Sequence, residues 1–299
     1  MIKKHNKLSS IIKIFLVFLM YCVTATICTQ ILMKFLGNHL FNISSGREVI
    51  DFLLNTEIGM FLLKIIESIC LLSTILLLLK VFDNKTIKDI GIKDLNKNYK
   101  YLIYGLILGA VSITGIFLIL LMGKLIVLEN SLKRPIINIY ILIDILLFTL
   151  VGINEEVLCR GYILNVLDVK KKPIRSSIIS SAIFSLLHIL NPNVKIIGMI
   201  NIFFIGLLFS YMYIKTKNLW MSIGYHITWN YFQGNVFGFP VSGQNKFSSI
   251  YNIEYIKESI VTGGGFGPEA GIVVTLIISI SFIFVWIFIL RNEVYMNKS

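Results

Sequence analysis

Charge is what this chain has least of. Charged residues make up 15% of its 299 positions against 56% apolar, with a mean hydropathy of +0.80. That balance excludes a water-soluble globule and places the chain in a bilayer. Acids are scarcer than bases, 16 against 28, for a net +12. In a soluble protein such an excess would suggest nucleic acid. Here the bases fall in short segments between long apolar runs, so they are read as topology signals and no nucleic-acid partner is expected. The four cysteines, Cys22, Cys28, Cys70 and Cys159, lie in or beside apolar runs without Cys-x-x-Cys spacing, which argues against a disulfide framework and a zinc-thiolate site. There is no His-Glu-x-x-His pair, and no internal repeat of the kind many transporters carry.

What the chain has is long apolar runs. A membrane-crossing helix needs about 20 apolar residues, and that ruler predicts spans near 11–36, 58–82, 101–128, 136–153 or beyond, 174–190, 196–214, 218–238 and 270–290. The basic start (Lys3, Lys4, Lys7, Lys13) and the apolar stretch after it resemble a secretory signal. That stretch is long and lacks a small-x-small cleavage site, so a retained first span is expected. Lys and Arg concentrate on alternate connections: the N-terminus, Lys80 to Lys100, Lys170 to Arg175, Lys215 and Lys217, then Arg291 and Lys298. The opposite connections hold only scattered bases, Arg47, Lys133, Arg134, Lys195, Lys246 and Lys257. The expected fold is therefore all-α: a polytopic transmembrane helix bundle of about eight spans in the cell membrane, with both termini cytoplasmic. Residues 1–100 read as an N-terminal two-helix membrane region plus a basic cytoplasmic connection, and 101–291 as the membrane core. The longest polar connections are 83–100 and 239–269. The latter holds Gly263-Gly264-Gly265-Phe266-Gly267-Pro268-Glu269, which lacks the Lys of a phosphate-binding loop and reads as a flexible lead-in to the last helix. Trp220, Tyr211, Tyr213 and Tyr225 read as an interfacial aromatic belt.

Ionisable groups inside a span are costly unless paired or turned to a polar cavity, so they are where function is sought. The first group is Asn154-Glu155-Glu156-Val157-Leu158-Cys159-Arg160-Gly161. Positions four apart stack on one helix face, so Glu156 is placed to pair with Arg160 in the favourable acid-first order. Glu155 points elsewhere and is left the better candidate for acid-base work. The second group is Phe184-Ser185-Leu186-Leu187-His188, and the third is His226-Ile227-Thr228-Trp229-Asn230. Two of the four histidines, His188 and His226, lie in apolar helices, whereas His5 and His39 lie outside. His226 and Asn230 share a face, and two convergent donors can hold an oxyanion. If the basic turn at Lys170 to Lys172 closes a helical hairpin, Glu155 and His188 each lie roughly 16 residues, or about 24 Å, from it, at matching depth. Lys64 and Glu67, three apart in the second span, read as a structural ion pair, and Asp144 in the fourth as a residue at the cavity mouth. The structural alternatives are an interfacial salt-bridge cluster, a hydrogen-bonding imidazole and interhelical polar contacts.

The three groups resemble the Glu-Glu-x-x-x-Arg, Phe-x-x-x-His and His-x-x-x-Asn signature of the CPBP family of intramembrane proteases, which includes type II CAAX prenyl endopeptidase-like, bacteriocin-processing and Abi members. The resemblance covers roughly residues 136–238. It extends to Phe203-Phe204-Ile205-Gly206, with Ser210 standing where a second Gly is more usual. It implies an intramembrane endopeptidase in which Glu155 and His188 activate water while His226 and Asn230 hold the oxyanion, with Glu156 and Arg160 in support. Family members have been described both as metalloproteases and as glutamate-dependent proteases. Zinc or another divalent metal on Glu155, His188 and His226 is one alternative; the missing His-Glu-x-x-His pair tips the reading toward metal-independent water activation. The expected partners are membrane lipid and a hydrophobic or lipid-anchored peptide or protein substrate. The competing readings are a non-catalytic membrane immunity or regulatory protein and, more weakly, a proton-linked transporter.

Overall fold

The structure, a computed structural model, describes residues 8–39, 46–244 and 248–296. Lys3, Lys4, His5, Lys7, Lys246 and Lys298 lie outside these residues, as do the side chains of His39 and Arg291. The fold is almost entirely helical. In chain order the helices are α1 (Ser10–His39), α2 (Gly46–Asn55), α3 (Glu57–Leu78), α4 (Leu95–Met122), α5 (Tyr140–Glu156), α6 (Leu164–Val166), α7 (Pro173–Leu186), α8 (Ile196–Thr216), α9 (Trp220–Tyr231) and α10 (Ile272–Met296). Local chemistry sets several starts: Thr56 accepts from Gly59 N at 3.0 Å, Asp94 accepts from Asn96 N at 3.1 Å, and Pro173 occupies the first turn of α7, each answering backbone donors that lack helical partners. Among the described residues, four helical stretches are long and apolar enough to cross a membrane: Ser10–Asn38, Glu57–Asp83, Ile87–Met122 and Ile196–Thr216. Large apolar side chains point outward along them and along α10; Ile11, Phe15, Ile31, Leu276 and Ile283 are each more than half exposed. Such stripes are a liability in water and the natural lining toward lipid.

The third run departs from its expected bounds. Its helix covers 95–122, ends at Gly123 and passes through Lys124 at φ +54°. Residues 126–128 then form strand β1 (Ile126–Leu128), antiparallel to β2 (Ile253–Tyr255) with Val127 opposite Glu254. A short apolar run at the end of a helix is indistinguishable by composition from more helix, and the Gly-Lys break decides.

Helices α4 and α9 form the tightest seam. A side chain at Gly105 or Gly109 would run into the carbonyls of Met221 and Tyr225, and one at Gly224 into that of Leu102. Thr228 Oγ1 donates to Leu106 O at 2.7 Å across the seam. Small residues and a hydroxyl bond are the usual means of joining helices where no water drives association.

The glycine-rich lead-in is not a free linker. Gly264, Phe266, Pro268 and Glu269 are buried, Gly243 N donates to Phe266 O at 2.8 Å, and Asn201 Nδ2 donates to Glu269 O and Gly271 O at 2.8 and 3.0 Å. Gly267 sits at φ +103°, where a Cβ would strike Pro240 O. The glycines thus provide close approach and left-handed backbone for a folded cap over the bundle. The aromatic belt is corrected in two positions. Tyr225 is fully buried and stacks 5.7 Å from Trp229, and Tyr213 is buried with its hydroxyl accepting from Asn165 at 2.6 Å.

Candidate active site

The site grows from an irregularity in α5. After Glu156 the chain winds into a π turn, Val157–Ile163, a form that widens a helix and frees carbonyls. Those carbonyls are recaptured: Ser180 Oγ of α7 donates to Cys159 O at 2.7 Å, and Asn165 Nδ2 to Gly161 O at 2.7 Å. Arg160 lies within this turn, fully buried, with Nη1 2.8 Å from Oε1 of the equally buried Glu156. Its guanidinium stands 4.2 Å from the Phe184 ring centre and 5.2 Å from that of Phe209, so aromatic faces take part of the charge. Gly206 makes room, since a Cβ there would lie 3.0 Å from Arg160 Nη2. Phe184 of the second motif and Gly206 of α8 are therefore the seat of the first motif's arginine.

The Glu156–Arg160 pair in turn orients His226. Its Nδ1 is 3.3 Å from Glu156 Oε1, its Nε2 is 3.7 Å from Glu155 Oε2, and its ring stacks on Phe209 at 5.7 Å. Glu156, as the arginine's counterion, is an acceptor, so Nδ1 carries a proton, and Nε2 faces the second acceptor, Glu155. His188 is held in the same way by another group: Nδ1 lies 2.9 Å from Phe184 O. A carbonyl only accepts, so Nδ1–H donates and the neutral ring keeps a lone pair on Nε2.

Glu155, His188, His226 and Asn230 all line one cavity of about 360 Å³. Its apolar wall includes Leu147, Phe148, Ile202 and Phe209, and its polar wall adds Lys64 and Glu67 from α3 with Ser242, Gln244 and Glu269 from the cap. Glu156 and Arg160 stand behind the wall. The expected Lys64–Glu67 pair is present at 2.5 Å. Asp144 is corrected: it is not on the cavity wall but buried in α5, accepting from Asn235 Nδ2 at 2.6 Å, and the same amide reaches Ser248 O at 2.7 Å. It anchors the cap. Glu269 was missed altogether, because a lone acid in a glycine-rich connection carries no sequence signal. It is buried and accepts from Ser242 N at 2.6 Å and Ser242 Oγ at 3.0 Å. Burial, the largest influence, raises its pKa above the ordinary carboxylate range against those two bonds.

A metal fits this donor set poorly. Glu155 Oε2 and His226 Nε2 are 3.7 Å apart, but among the described residues no three His, Cys, Asp or Glu side chains are grouped so as to hold an ion. A catalytic zinc site uses three protein ligands.

Residues 137–232 match the family model of Rce1-like type II CAAX prenyl endopeptidases. That segment, about a third of the chain, runs from just before α5 to just after α9 and holds all three motifs. No curated protein and no solved structure matches the chain.

Proposed function

We propose that this chain is a multi-pass cell-membrane endopeptidase of the CAAX type, cleaving a hydrophobic or lipid-anchored peptide or protein within the bilayer. The observation that carries the reading is the convergence of Glu155, His188, His226 and Asn230 on one cavity between apolar helices, two of them with Nδ1 already engaged. A reading of the eight apolar runs as eight spans with both termini cytoplasmic supports a cavity at membrane depth.

In the proposed reaction a water molecule sits between Glu155 and the Nε2 lone pair of His188. Glu155 takes its proton as the oxygen attacks the peptide carbonyl, forming the C–O bond. The developing oxyanion accepts from the Asn230 amide and from His226 Nε2–H, the ring entering the step with a proton on each nitrogen between its two flanking carboxylates and keeping both. Collapse breaks the C–N bond, and Glu155 returns the proton to the leaving amine. Both supporting side chains act through position: Arg160 holds Glu156, and Glu156 holds the His226 ring.

The test is cleavage of a quenched-fluorescent CAAX-ending peptide bearing a prenylated cysteine by detergent-purified protein. Glu155→Gln and His188→Ala are expected to lower kcat by about 10²–10⁴ at unchanged yield and melting behaviour. Cleavage by Glu155→Gln at the wild-type rate would overturn the assignment.

A further inference from the structure

We propose that Lys64 of α3 is the substrate-anchoring cation of this cavity, holding a carboxylate of the substrate and above all the free C-terminus of the peptide. The inference rests on the endopeptidase reading and adds to it the group that positions the scissile bond. Lys64 lies outside the segment that matches the family model.

Among the described residues lining the cavity, Lys64 is the single Lys or Arg, set against Glu67, Glu155 and Glu269. A cation is costly in the apolar part of a membrane protein and is retained where it meets a substrate or a partner. Its partner, Glu67, does not seal it away. The pair is joined by one bond at 2.5 Å, with side chains 27% and 38% exposed, and an ammonium has three donors. Lys64 also precedes Glu67 along the helix, the less favourable order against the helix dipole. The pair is built to open.

Its place relative to the reacting groups follows from the neighbouring turn. Ser68, four residues after Lys64 and so on the same face, donates to Lys64 O at 2.6 Å and accepts from Asn154 Nδ2 at 2.7 Å. Asn154 precedes Glu155. The α3 turn carrying Lys64 is thus docked on the turn carrying the proposed general base, with Lys64 about one helical turn, 5–6 Å, from the contact. An extended peptide advances about 3.3–3.6 Å per residue, so a chain with a carbonyl at Glu155 brings its carboxylate to Lys64 within a few residues. A lysine here selects where cleavage falls by measuring from the chain end.

The experiment compares a dye-labelled CAAX-ending, cysteine-prenylated peptide as free acid and as amide. Binding to the Glu155→Gln protein in detergent is read by fluorescence anisotropy, so it does not depend on turnover. The acid is expected to bind at least about tenfold tighter than the amide, the size of a charge-assisted bond. Lys64→Met brings the two within about twofold by weakening the acid alone, Lys64→Arg keeps the preference, and Glu67→Gln widens it by freeing the ammonium. Equal binding of acid and amide, no binding of either, a preference that survives Lys64→Met, or a preference untouched by Glu67→Gln would each overturn the proposal. The Glu67→Gln gain decides even if Lys64→Met does not fold. A Lys64-dependent preference in a protein whose Glu155 form never cleaves would instead sink the endopeptidase reading and leave the anchor standing.

Discussion

Removing the charge of Glu156 is expected to damage the fold more than removing that of Glu155, and the size of the effect follows from what surrounds Arg160. The guanidinium is fully buried, and Glu156 Oε1 at 2.8 Å is its counterion. Its Nε and Nη2 have no acceptor among the described residues, and the Phe184 and Phe209 rings face the group. Glu156→Gln keeps the shape and one acceptor but turns an ion pair into an ion–dipole bond. It also leaves a buried cation uncompensated, for a total cost of about 3–5 kcal/mol. Arg160→Met costs a similar amount by stranding Glu156. The double variant strands neither and is expected to recover at least about 2 kcal/mol of the summed losses, since replacing a buried pair with apolar or neutral groups is often close to neutral. Reversible unfolding by sodium dodecyl sulfate in mixed micelles, followed by the fluorescence of Trp220, Trp229 and Trp286, measures all four proteins. Losses that add to within about 0.5 kcal/mol, as for independent sites, would refute the argument that the two charges exist for each other.

Three further outcomes follow. Asn230→Ala is expected to lower kcat by about 10²–10³ with KM little changed, the signature of a donor used in the transition state; a pure KM effect in steady-state kinetics would assign Asn230 to ground-state binding. Gly267→Ala, forced into φ +103° against Pro240 O, should cost about 1–3 kcal/mol of stability in the same unfolding assay and loosen the cap, whereas a wild-type midpoint would show the segment to be as free as a linker. Dialysis against a strong zinc chelator is expected to leave peptide cleavage within about twofold, because no three-ligand set is assembled among the described residues; loss of activity restored by added zinc would reverse that reading.

The parts of this site that were legible in the sequence are those set by helix period. Glu156 with Arg160, and His226 with Asn230, are four apart, and four residues of helix put two side chains on one face whatever lies around them. That Glu155 and His188 line one cavity accords with a helical hairpin about the basic turn, for which rise per residue and the position of the turn suffice. What period does not carry is curvature and closure. The π turn at 157–163 depends on Ser180 and Asn165 arriving to take its carbonyls, a tertiary event with no local mark beyond a serine-rich helix. The cap was misread because glycine reports permitted conformations and not mobility. The same residues that loosen a linker are the ones that allow Gly267 to pass against Pro240 O.

The α3 turn lies between these cases. Intramembrane cost alone marked Lys64 and Glu67 and suggested their pairing, but it gave no reason to set them beside Glu155, which lies 91 residues beyond Lys64 in the chain. The Ser68–Asn154 bond supplies that reason. Asn154 stands inside the most informative motif of the chain, yet its amide is spent on α3 and not on the cavity. A motif residue can therefore serve to dock a helix from outside the motif-bearing segment. If that docking is what brings a cation to the catalytic acid, Ser68→Ala should raise KM for the free-acid peptide more than for its amide while leaving kcat close to wild type. An equal rise for both peptides would mean that the bond only stiffens the bundle.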